Sequence, residues 1–85
     1  MNKTKSKILI QRKILRSLLK QLRTKAQLTQ ADLARKLKQP QSFVSKYESG
    51  ERRLDILELR SICAVLEISL TDFVKELEDK LNETV

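Results

Sequence analysis

Leucine, isoleucine, valine and alanine recur three and four positions apart along most of this chain and seldom alternate with polar residues at a spacing of two. That period belongs to helices with one buried face rather than to strands. Leu15, Leu18, Leu19, Leu22 and Ala26, with basic residues between them, predict a first helix from about Lys7 to Ala26. The preceding MNKTKS, residues 1–6, is polar and basic and is expected to be a flexible arm ahead of a folded unit over 7–85. Ile8, Ile10 and Ile14 widen the apolar surface of this helix, either as ordinary core cover or as a place for another subunit.

Helix starts are marked by a repeated spacing. In Thr29-Gln30-Ala31-Asp32 the hydroxyl can accept the amide proton three residues on while the carboxylate reaches back, a capping box that opens a second helix of about two turns with Leu33, Ala34 and Leu37 inward. Asp55-Ile56-Leu57-Glu58 repeats the device and opens a fourth helix, with an expected buried face of Ile56, Leu59, Ile62, Cys63 and Leu66. Ser69-Leu70-Thr71-Asp72 repeats it again before a fifth, carrying Leu70, Phe73, Val74, Leu77 and Leu81. Between the second and fourth lies a short third helix from about Pro40 to Ser49. Proline suits a first turn because its missing N–H has no intrahelical partner there. The only glycine, Gly50, stands where a helix end needs φ above zero. Val44 and Tyr47 then point inward, and Gln41, Ser42, Ser45 and Lys46 form a polar edge followed at once by Arg52 and Arg53. Small hydrogen-bonding side chains beside arginines are what reading base edges next to phosphates requires.

With a single glycine and a single proline there is little material for hairpins, so the fold class is all-α, a compact domain of five helices. Its 85 residues make one small domain, in a size range where a second subunit often adds stability. The net charge is +7 and unevenly placed: up to Arg53 there are 15 Lys and Arg against 3 acids, and from Leu54 onward 3 against 8. A basic portion beside an acidic one suits a surface turned toward a polyanion, the plainer account being charge on solvated helix faces.

Composition also excludes. The chain has no His, no glycine-rich phosphate loop and no isolated carboxylates in an apolar setting, so it is read as a non-enzyme with no cofactor. Cys63 is the lone cysteine and can build neither an internal disulfide nor a cysteine-based metal site; within its apolar pattern it is expected to be a small core residue. No apolar run approaches ~18 residues, so no membrane association is expected. Only Ile8 to Ile10 follow the first lysines as a continuous apolar run, unlike a signal peptide, and a cytoplasmic location fits.

Three segments in order, LRTKAQLTQADLARKL, PQSFVSKYESGERRLD and LxxICxxLxIS, together resemble the Cro/CI (XRE-type) helix-turn-helix domain of phage repressors and bacterial regulators, over about Leu22 to Phe73. The physical logic agrees: Ala34 is the small residue where two helices cross closely, and Val44 anchors the second of them. The resemblance implies a Cro/CI-repressor-like fold and sequence-specific binding of double-stranded DNA by a small transcriptional regulator, a repressor, with the third helix in the major groove. It implies that Thr29 and Gln30 approach a phosphate, that Gln41, Ser42 and Lys46 reach base edges with Phe43 and Ser45 as neighbours, that Lys38 in the turn joins this surface, and that Arg52 and Arg53 grip the backbone. Arg23 and Glu48 fall where similar domains have an ion pair joining the first helix to the end of the third.

The chain departs from the family pattern at three places. Lys38, Gln39 and Pro40 stand where many relatives have Gly, an apolar residue and Ser, which asks an unusual φ of Lys38; Gln27 and Glu67 replace residues that are often glycine. Other roles stay open for single residues: Gln41 and Ser42 as caps, Lys46 as a solvated charge, Phe43 as a partner contact. A homodimer is expected, and the alternative function is a protein-interaction module such as an antitoxin with a toxin partner. Binding to RNA or an anionic surface through charge alone fits the shaped Pro40 to Arg53 unit less well.

Overall fold

A computed structural model describes residues 3–84, and in it the chain forms five helices and no strands among the described residues: α1 (Lys3–Lys25), α2 (Gln30–Lys36), α3 (Gln41–Ser49), α4 (Ile56–Val65) and α5 (Leu70–Thr84). Helix α1 begins earlier than its apolar period suggested, so residues 3–6 of the expected arm are helical; Met1 and Asn2 lie outside the described residues. At 23 residues α1 is about 34 Å long. It spans most of the 39 Å long axis of the molecule and packs on α3 and α5, while α2 packs on α3 and α4 on α5.

Every helix gives residues to one core: Leu18 and Leu19 from α1, Leu33 and Ala34 from α2, Val44 and Tyr47 from α3, Leu59, Ile62 and Cys63 from α4, and Phe73 from α5. Fully burying a side chain of Leu or Phe size contributes about 1.5–3 kcal/mol, so this set holds the five short pieces in one arrangement. Burial pushes the Cys63 thiol up to about 11, which suits a small core residue rather than a nucleophile. Three expected inward residues differ. Ile56, the first residue of α4, is exposed; Val74 is 40% exposed on α5, and Ala26 is exposed just beyond the end of α1.

Helix starts use the side chains that the spacing indicated. Thr29 Oγ1 accepts the Asp32 amide at 3.0 Å while Asp32 Oδ2 accepts the Thr29 amide at 3.0 Å. Asp55 and Glu58 exchange the same pair at 2.7 and 3.0 Å, whereas at α5 only one half of the expected box forms, Ser69 Oγ accepting the Asp72 amide at 3.0 Å. Pro40 is the N-cap of α3, one position ahead of the first turn in which it was expected, with φ −64° and ψ 153°.

Helix ends are less economical. Gln27, Lys38 and Glu67 lie in the left-handed region at φ 61°, 58° and 60°. Each sits in the same closing turn, in which the next amide reaches back five residues: Leu28 to Arg23 O, Gln39 to Ala34 O and Ile68 to Cys63 O, at 3.1, 2.9 and 3.0 Å. A side chain in that region costs about 1 kcal/mol that glycine avoids. Glu67→Gly, remote from α3, is therefore expected to raise stability by up to ~1 kcal/mol, read as a higher urea midpoint with an unchanged slope. A lower midpoint would show that the Glu67 side chain contributes more than its backbone costs.

Candidate nucleic-acid interface

The orientation of α3 is set from its C-terminal end. Arg23, buried at 7% exposure, donates from Nε to Glu48 Oε2 at 2.7 Å and from Nη2 to Oε1 at 3.0 Å, the parallel fork that arginine and carboxylate geometry favours. Its remaining Nη1 donates to Leu28 O at 2.8 Å, and Gln30 Nε2 donates to Glu48 Oε1 at 3.0 Å. One carboxylate thus joins α1, the start of α2 and the last turn of α3. The hydrogen bond to Glu48 raises the Arg23 pKa further above its ordinary value, against the opposing effect of burial.

The outer face of α3 is open. Gln41, Ser42 and Lys46 are exposed, with Gln41 at the first helical position, and Lys38 is exposed in the turn ahead of it. Ser45 is half-buried and its hydroxyl donates to Ser42 O at 3.3 Å. Thr29 is exposed, its hydroxyl engaged in the α2 cap, and Gln30 has its amide on Glu48, so its side chain is anchored before any ligand arrives.

Two residues assigned to this surface are occupied within the fold. Phe43 is half-buried, edge-on to Tyr47 at 5.6 Å between ring centroids, and the Arg52 guanidinium lies 4.7 Å from the centre of the Phe43 ring. Arg52 also forms a two-point pair with Glu58, 2.6 Å from Nη2 to Oε2 and 3.1 Å from Nη1 to Oε1, and donates from Nη1 to Arg53 O at 3.1 Å. Arg52 therefore fastens the loop after α3 to the start of α4, whereas Arg53 is exposed and forms no ion pair among the described residues. Glu58 was legible as a capping residue, but its second role depends on a loop path that no spacing rule reports.

The Arg52 guanidinium, then the Asp55 amide, hold the Glu58 carboxyl below its ordinary 4.5. A depressed folded value means that this stabilisation is complete above the unfolded value and is lost as pH falls through the folded one. The stability advantage of the native chain over Glu58→Gln is expected to shrink between pH 7 and pH 3, measured by urea unfolding at both. An advantage unchanged across that window would remove the ion pair as its source.

The helix-turn-helix family profile matches residues 19–73. The chain belongs to the Cro/CI (XRE-type) helix-turn-helix family of DNA-binding regulators. Among solved structures, an XRE-family-like protein from Pseudomonas syringae pv. tomato str. DC3000 superposes with a TM-score of 0.86 at 38% identity, covering 93% of this chain and 96% of that one. The restriction-modification controller protein C.Esp1396I gives 0.77 at 28% identity over 84% of this chain and 93% of its own, and a point mutant of that controller gives 0.75 at 30% over 84% and 95%. Comparison with curated sequences gives no match. Among the described residues no helix of this XRE-type domain is long and apolar enough to cross a membrane.

Proposed function

We propose that this XRE-type domain is a sequence-specific transcriptional repressor that binds duplex DNA as a homodimer, with α3 in the major groove. The observation that carries this reading is the division of α3: Val44 and Tyr47 are sealed in the core, the last turn is tied to α1 by Glu48, and Gln41, Ser42 and Lys46 stand exposed on the opposite side. A helix so fixed presents its polar edge in one orientation, which direct readout of base edges needs. Gln41 offers a donor and an acceptor to adenine, Lys46 a donor to guanine or phosphate, and Arg53 a contact to the backbone.

Support for a second copy comes from Ile8 and Ile10 on α1 and Ile56 and Leu57 on α4, which are 40% to 71% exposed. Apolar groups in such numbers on one small domain suit a covered surface. A second copy is the occupant of that surface, and a toxin or other protein over the same residues is the competing outcome. Selection of bound fragments from random duplex DNA is expected to return an inverted repeat with half-site centres about 34 Å apart, one duplex turn. Recovery of unenriched sequences would overturn sequence-specific binding, and a single unrepeated half-site would overturn the dimer.

A further inference from the structure

The N-terminal half of α1 runs past the loop that follows α3, and the two enclose an open cleft of about 420 Å³. That size lies within the ~300–1,000 Å³ of small-molecule sites. Its floor is apolar, made by Leu15, Leu19 and Leu54 with Tyr47, and its rim carries Arg12, Arg16 and Arg53. No Asp or Glu lines it. Arg52 also borders it, but its charge is met by Glu58.

Arg12 and Arg16 are one turn apart on the same face of α1, both half-buried, and neither forms an ion pair among the described residues. Arg16 is also placed: a Cβ on Gly50 would lie 3.0 Å from its Cζ, so the guanidinium packs on bare backbone at the cleft wall. Tyr47 lines the same cleft with its ring, while its hydroxyl is buried without a hydrogen-bond partner. Partly desolvated cations without an acid gain from an anionic oxygen nearby.

We propose that this cleft binds a small amphipathic carboxylate, its head group between Arg12 and Arg16 and its aliphatic or aromatic body of roughly six to ten carbons on the leucine floor. A DNA phosphate could reach the rim arginines but would leave that floor uncovered, so the cleft's two-part character favours the carboxylate.

Tyr47 is the only tyrosine and the chain has no tryptophan, so intrinsic fluorescence reports from the cleft wall alone. Titration of the full chain with octanoate or benzoate is expected to give a saturable change in tyrosine emission. Octanamide should bind at least tenfold more weakly, as should octanoate to Arg12→Gln and Arg16→Gln, with far-ultraviolet circular dichroism checking that both variants fold. The proposal is overturned by no saturable change with either carboxylate up to about 10 mM, where a site of ~1 mM affinity would be nearly filled. It is overturned equally by folded variants that bind octanoate as the native chain does, or by inorganic phosphate giving the same response. Should the arginine variants lose only duplex affinity and salt dependence, the rim is a phosphate clamp and the carboxylate site does not exist. Because the titration contains no DNA, its failure leaves the DNA-binding reading standing.

Discussion

Replacing Glu48 with alanine is expected to destabilise the domain by about 3–5 kcal/mol, because it strands the Arg23 guanidinium at 7% exposure with only the Leu28 carbonyl to meet it. Gln30 would lose its acceptor as well, and with it the link from α2 to the last turn of α3. Arg23→Ala leaves a buried carboxylate held by one neutral amide and should be similarly costly. Replacing both residues with apolar side chains of matching volume, Arg23→Met with Glu48→Leu, should cost much less than the sum, since the desolvation of both charges disappears together. A double-mutant cycle by urea unfolding measures this. Strictly additive single effects would mean that the two residues are not coupled, whatever the 2.7 Å contact suggests.

In duplex binding, Gln41→Ala is expected to lower affinity for a selected site by about 1–3 kcal/mol and relax preference at one position. Arg53→Ala should weaken selected and scrambled duplexes alike and reduce the salt slope by about one unit. Lys46→Ala falls on either side of that division, since Gln41 and Lys46 differ in direction by about 140° on the helix and cannot both face the groove floor squarely. Arg52→Ala, by contrast, should act first on stability, since its guanidinium is held by Glu58 and Phe43. Electrophoretic or fluorescence titrations of the four variants at several salt concentrations decide the matter. If Gln41→Ala leaves the ratio of selected to scrambled affinity unchanged while Arg53→Ala collapses it, the roles are reversed.

The two neighbouring arginines show where sequence reasoning stops. Apolar period and cap spacing located four of the five helices and Pro40 with Gly50 bounded α3, because these signals are local: a capping box closes within four residues and a buried stripe recurs within each turn. Gly50 declared its left-handed conformation by being glycine. Nothing local distinguishes Arg52 from Arg53. Their difference arises when the loop carries one past Glu58 and Phe43 and leaves the other outside, an outcome of tertiary packing. Ile56 was misplaced for a similar reason: helical spacing gives the face of a residue but not whether a neighbouring helix extends far enough to cover it. Arg12 and Arg16 read as basic residues between leucines, and only their approach to the Gly50 loop makes them a pair with a common destination.

The packing of Arg16 over Gly50 ties the history of two distant positions together. Any other residue at 50 must accept φ 92° and also displace a guanidinium 3.0 Å from its Cβ. Relatives that drop the glycine should therefore tend to shorten the side chain at position 16, and those that keep a long basic side chain at 16 should tend to keep the glycine. The two positions are 34 apart in sequence yet would drift as one character, and a lineage that lost both would have given up its fixed cation beside the loop.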